Sequence, residues 1–114
     1  MTRATILLTY PSGNTVQLYH NSDGYPEFMG KLLESFCNTA FFVRYGGTSI
    51  DNAMNDLLKM EKDFEFEEVG FQHQDVEYTW YVTLSKDGYE ISYVKNSLWG
   101  NVENEQELYK VGYF

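Results

Sequence analysis

Hydrophobic and polar positions change period several times along the chain, and each change marks an element. Residues Ala4 to Tyr10 are rich in β-formers, Pro11-Ser12-Gly13-Asn14 is a turn cluster, and Thr15 to His20 resumes alternation with Val16 and Leu18 on one face. That pattern predicts an N-terminal β-hairpin. The period then becomes helical: Phe28, Met29, Leu32, Leu33, Phe36 and Cys37 share one side, while Lys31, Glu34 and Ser35 fall on the other. Pro26 suits the first turn of that helix, where a missing N–H costs nothing. Ala40 to Tyr45 is short, aromatic and strand-like, and is ended by Gly46-Gly47. Thr48-Ser49-Ile50-Asp51 resembles a capping box, and Ile50, Ala53, Met54, Leu57 and Leu58 then predict a second helix through about Glu61.

The second half reads as β. Val76, Tyr78, Trp80, Val82 and Leu84 alternate strictly, and Asp87-Gly88 signals a two-residue hairpin turn. Such a turn sets Lys86 opposite Tyr89, Leu84 opposite Ile91 and Val82 opposite Tyr93, apolar against apolar. Ahead of it, Phe64 and Phe66 share one parity and Val69 and Phe71 the other, so a bulge or a chain bend falls near Glu67-Glu68. Leu98 to Phe114 is compatible with a short helix or a final strand. The expected order is β-β-α-(β)-α-β-β-β in one α+β domain, residues 1–114, with two helices packed on one face of an antiparallel sheet.

Charge changes the picture more than composition does. The net charge is −9, and between Glu61 and Glu107 twelve carboxylates face only Lys62, Lys86 and Lys95, so that segment carries the whole excess. Direct binding of nucleic-acid backbone needs clustered Lys and Arg, which argues against it here. In an extended chain Glu61, Asp63, Glu65 and Glu67 present carboxylates about 6.6–6.8 Å apart on one side. Asp75, Glu77 and Tyr81 share the outward parity of the next strand, with Glu90 across the hairpin opposite Ser85. Such a face either mimics a phosphate backbone and docks on a basic surface, or is a solvated face whose charges discourage edge pairing. Tyr81, Tyr89, Tyr109, Tyr113 and Trp99 exceed what one inner face takes, and Tyr and Trp beside acids suit an Arg-rich surface.

Cys37 is the only cysteine, which leaves no internal disulfide and no multi-cysteine metal site, and its place on the apolar side of the first helix makes it a small buried hydrophobe. His20 and His73 lack the spacing of paired ligands, and Gly46-Gly47 has no following Lys, so neither a metal nor a phosphate-binding cofactor is expected. Met1-Thr2-Arg3-Ala4 leads directly into a strand-like run without the pattern of a signal peptide, and no apolar run approaches the roughly 20 residues of a membrane span. The expected location is cytoplasmic.

One local string stands out: His20-Asn21-Ser22-Asp23-Gly24-Tyr25-Pro26, followed by Gly30. Physically it reads as a helix start, with Asp23 bonding backbone N–H groups, Gly24 supplying a positive φ, Tyr25 packing over the turn and Pro26 opening the helix. A His20–Asp23 catalytic pair is the rival reading, since a carboxylate can orient an imidazole, but no nucleophile is placed by sequence. The string resembles the H-x-D-G-Y-P-x-x-x-G signature of short phage and mobile-element proteins, with one extra residue between His20 and Asp23. The resemblance covers about a third of the chain and implies provenance more than activity. Small acidic proteins of that provenance resemble anti-CRISPR and other anti-defence inhibitors.

The expected function is therefore a non-enzymatic, phage- or plasmid-encoded inhibitor without cofactor or metal, acting in the host cytoplasm as a monomer or homodimer. It would bind a basic host protein or nucleoprotein, with a CRISPR effector as best-guess target, through Asp63, Glu65, Glu67, Asp75, Glu77, Tyr81 and Glu90, and so block a nucleic-acid path. The alternatives are a small hydrolase acting on a nucleotide or signalling molecule through His20 and Asp23, and a self-associating structural phage protein.

Overall fold

The N-terminal hairpin forms at the expected residues. Strand β1 (Ala4–Thr9) pairs antiparallel with β2 (Thr15–His20), from Ala4 opposite His20 to Thr9 opposite Thr15. The turn closes through Gly13 N–H on the Tyr10 carbonyl and Tyr10 N–H on that of Asn14, both 2.8 Å. The structure, a computed structural model, describes residues 2–45, 63–96 and 106–113, with side chains from 2 to 38 in the first of these stretches. Past the hairpin come helix α1 (Lys31–Tyr45), β3 (Phe64–Glu67), β4 (Tyr78–Leu84), β5 (Gly88–Lys95) and β6 (Glu107–Tyr113).

These strands make one six-stranded sheet in the order β3-β2-β1-β4-β5-β6. It is mixed, not antiparallel: β1 and β4 run parallel, Ala4 beside Tyr78 through Thr9 beside Thr83. The expected architecture of an antiparallel sheet under two helices is thereby corrected to a mixed sheet with a single helix among the described residues. The second helix, Ile50 to Glu61, lies outside the described residues. The strand-like stretch Ala40 to Tyr45 is instead the last part of α1. No Gly or Pro intervenes between Gly30 and Gly46 to stop the helix, and continued backbone bonding prevails over the β-propensity of Phe41, Phe42 and Val43.

The second hairpin keeps its predicted faces and slips its register by two. Leu84 lies opposite Tyr89, Val82 opposite Ile91 and Trp80 opposite Tyr93. Lys86 and Asp87 form the loop, and Ser85 N–H donates to the Gly88 carbonyl at 2.8 Å. Ser85 Oγ accepts from the Asp87 and Gly88 amides at 3.3 and 3.1 Å, a side-chain turn that needs no positive φ. Asp87-Gly88 does not adopt the left-handed conformations of a primed turn, and Glu90 faces Thr83 instead of Ser85. The parity break near Glu67-Glu68 is a bend, closed by Phe71 N–H on the Glu68 carbonyl. The C-terminal ambiguity resolves as strand over Glu107–Tyr113, with a register shift against β5 at Ile91/Ser92.

One sheet face carries the core. Ile6, Leu8, Leu18, Trp80, Val82 and Ile91 are fully or almost fully buried there, and Met29, Leu33, Phe36 and Cys37 from the helical segment close over them. The helix begins as a π-turn over Pro26–Gly30, with Pro26 in its first turn as expected. Tyr109 packs its ring over Gly30 and edge-on to Trp80, and Lys110 reaches Glu34 at 3.4 Å, tying β6 to the helix. Tyr93 donates to Glu107 at 2.6 Å; that bond and partial burial push its hydroxyl up to about 12.

Burial, reinforced by the neighbouring Glu34 carboxylate, raises the Cys37 thiol far above its ordinary range. Since the thiolate is the nucleophile, native protein is expected to react with a thiol reagent at least about a hundredfold more slowly than unfolded chain. Timed labelling at mildly alkaline pH, with and without denaturant, checks this, and prompt native labelling would contradict it.

Candidate functional site

The face opposite the core is built from the other parity of the central strands. Register places Gln17, Leu7 and Tyr81 in one row across β2, β1 and β4, and Tyr19, Thr5 and Thr79 in the next. The β3–β4 connection folds back over these rows and leaves a groove of about 340 Å³, floored by Thr5 and Leu7 and walled by Phe71, His73, Tyr81 and Asn96. Where a charged solvated face was expected, this face is half covered by chain.

Gln17 holds the connection down. Its side chain is only 2% exposed. Nε2 donates to Glu67 Oε1 at 2.9 Å and to the Phe71 carbonyl at 2.7 Å, and Oε1 accepts the Gly70 N–H at 2.9 Å. Gly70 has a φ of +96°, which brings its amide onto that oxygen at no Cβ penalty. The other carboxylate oxygen of Glu67 meets His73 Nε2 at 2.5 Å. The His73 ring stacks on Tyr19, centroids 4.2 Å apart, and takes Phe71 edge-on. Arg3 pairs with Asp75 at 2.9 Å, and Asn96 Nδ2 donates to Thr79 Oγ1 and to the Val76 carbonyl. Phe71, His73 and Asn96 are thus each fixed by further contacts, which makes that side of the groove preformed.

The expected partner-binding residues are divided by this topology. Glu65 and Glu67 project on the groove side of edge strand β3, opposite Tyr19 and Gln17. Asp75 lies in the connection, Tyr81 lines the groove, and Glu77 sits at the start of β4, its N–H on the Arg3 carbonyl. Asp63 precedes β3 and accepts from Ser22 Oγ at 3.4 Å. Glu90, on β5, stands four strand spacings from β3, roughly 19 Å. The acidic stretch and the strand that follows it are not neighbours, because β2 and β1 lie between β3 and β4. Residues 73 to 77 are loop, so His73, Asp75 and Glu77 are not alternate strand positions.

The string at the helix start works differently from its expected role. Asp23, not Gly24, has the positive φ, +52°, and no side chain caps the helix. Gly24 is needed for close approach, since a Cβ there would lie 2.6 Å from that of Ala4. Its N–H donates to Thr2 and its carbonyl accepts Trp80 Nε1–H, both at 2.9 Å. Tyr25 is exposed, and its carbonyl accepts the amides of Phe28 and Met29. His20 is buried in the core beside Phe64, its Nδ1 on the Ser22 carbonyl, while Asp23 is exposed. Among the described residues no group of three or more His, Cys, Asp or Glu side chains could hold a metal, and no helix is long and apolar enough to cross a membrane. Comparison with protein-family models, curated proteins and solved structures finds no match.

Proposed function

We propose that the chain is a non-enzymatic binding protein of the phage or plasmid inhibitor type, whose acidic edge docks on a basic surface of a host nucleoprotein, a CRISPR effector being the preferred target. One observation carries the reading. From Asp63 to Glu77 the chain forms edge strand β3 and the connection over the groove, and it holds six carboxylates with no Lys or Arg. Clustered like charge on one edge raises the local potential, steers a basic partner and makes association salt-sensitive. The burial of His20, with its ring on the Ser22 carbonyl, favours this reading over a hydrolase built on His20 and Asp23.

Charge reversal tests it. Glu67 secures Gln17 and His73, so the reversal is made at Glu65, Glu68, Asp75 and Glu77, each to Lys. The expected result is loss of about 100-fold or more in affinity for a purified effector complex, with a weaker effect at high salt and an unchanged circular-dichroism spectrum. Binding and inhibition that survive the fourfold reversal would sink the proposal.

A further inference from the structure

The groove beside the acidic edge has a lining that selects a particular cationic side chain. The amide donors of Gln17 and Asn96 in that lining are already engaged. Gln17 is saturated by Glu67, Phe71 and Gly70. Asn96 uses its amide N–H groups on Val76 and Thr79, which leaves its carbonyl oxygen as an acceptor. His73 Nε2 is likewise engaged, by Glu67. Thr5 and Tyr81 add hydroxyl oxygens.

Aromatic surface flanks these acceptors. Phe71 hangs above Gln17 through its own carbonyl and keeps 56% of its surface exposed, while Tyr81 stands two strands away on the other side of Leu7. Among the described residues no Lys or Arg lines the groove, and the adjoining segment contributes the six carboxylates described above, one of them, Asp75, paired with Arg3. A groove with oxygen acceptors and aromatic side chains in its lining and carboxylates beside it complements a group that is planar, cationic and donor-only. Guanidinium has all three properties, whereas an ammonium is compact, strongly hydrated and without a face to stack. A phosphate or carboxylate would be opposed by the neighbouring carboxylates.

From this complementarity we propose that the groove receives the guanidinium of one arginine presented by the partner protein, lodged between Phe71 and Tyr81 as the anchor of the docked surface. This rests on the binding-protein reading and adds the residue that the partner must supply. It also accounts for a preformed groove next to a charged edge, since Arg anchors commonly occupy desolvated pockets ringed by weaker contacts.

The test titrates ¹⁵N-labelled protein with blocked arginine, blocked lysine and blocked citrulline, and separately with oligo-arginine and oligo-lysine. Blocked arginine is expected to shift the amides of Gly70, Phe71, Tyr81 and Asn96 saturably, with lysine and citrulline at least fivefold weaker, on the order of what stacking and charge each contribute. Tyr81→Ala, and independently Thr5→Val, are expected to weaken arginine binding several-fold while the melting curve stays within a few degrees of wild type. Equal binding of lysine or citrulline, or undiminished binding in folded Tyr81→Ala, would overturn the groove's selectivity. If both oligocations bind along β3 while the groove amides stay still, the arginine anchor is wrong and the acidic-edge reading stands. If neither oligocation binds, both are wrong.

Discussion

Trp80→Ala is expected to remove about 4 kcal/mol or more of folding stability and to lower the urea midpoint by about 2 M. Trp80 is fully buried at the centre of the core face, between Ile6 on β1 and Tyr93 on β5, with rings of Tyr93 and Tyr109 at 4.8 and 5.7 Å. Truncating a buried Trp to Ala costs about 3–5 kcal/mol, because neighbours anchored in strands collapse only partly into the cavity. A second loss adds to this. The Trp80 Nε1–H bond to the Gly24 carbonyl joins β4 to the start of the helix, and an orphaned buried carbonyl costs about 1–3 kcal/mol. Against a typical total of about 5–15 kcal/mol, the variant is marginal at 25 °C. Trp80→Phe keeps most of the volume and loses the bond, so it should lie about 1–3 kcal/mol below wild type. Urea melts followed by circular dichroism avoid the signal of Trp99. A loss under about 1.5 kcal/mol in Trp80→Ala would mean that the sheet core is not organised around this residue.

What could be read from the chain was whatever local pattern and turn chemistry decide together. Pro11-Ser12-Gly13-Asn14 and the flanking alternation agree, and β1 and β2 lie where both place them. At the second hairpin the two disagree by a register step of two. Alternation of period two fixes only parity, so Leu84, Val82 and Trp80 keep their faces while Ser85 selects a different turn. The parallel pairing of β1 with β4 had no local signal, because it is specified by burial of Ile6 and Trp80 in one core, seventy-odd residues apart in sequence. The same non-locality hid the groove. Gln17 looks like any polar position on the outward parity of a strand, and only the folded chain brings Glu67, Gly70 and Phe71 onto its amide. The acidic excess of residues 63 to 77 was legible, because charge density is a property of composition and survives errors of topology. Its division from Glu90 was not.

Gln17→Leu is expected to cost about 2–4 kcal/mol and, with more consequence for function, to release the connection that forms the groove. Leucine has nearly the volume of glutamine, so packing between β1 and β3 is largely kept and the effect isolates the polar groups. Three partners lose their bond at once: the Gly70 N–H, the Phe71 carbonyl and one oxygen of Glu67. Gly70 and Phe71 are exposed enough for water to replace part of what is lost, which holds the global cost below the sum of three fully buried penalties. The local cost is larger in proportion. Without the amide, what ties Phe71 and His73 to the sheet among the described residues is the His73–Glu67 pair on β3 and the stacking of His73 on Tyr19 of β2. Hydrogen exchange should therefore show the Gly70 amide losing nearly all its protection while amides of β1 and β4 lose only what the global destabilisation dictates. Gln17→Glu separates charge from shape. Its carboxylate can still accept from Gly70, but it faces Glu67 and the Phe71 carbonyl, so the ionised form is disfavoured in the folded protein and its pKa must rise above the ordinary value of about 4.3. Stability of that variant is then greatest below the ordinary carboxyl range and falls as pH climbs through the raised folded value. A Gly70 amide as protected in Gln17→Leu as in wild type, or a Gln17→Glu variant whose stability relative to wild type is the same at pH about 4 and about 7, would show that the connection is held by something other than this one side chain.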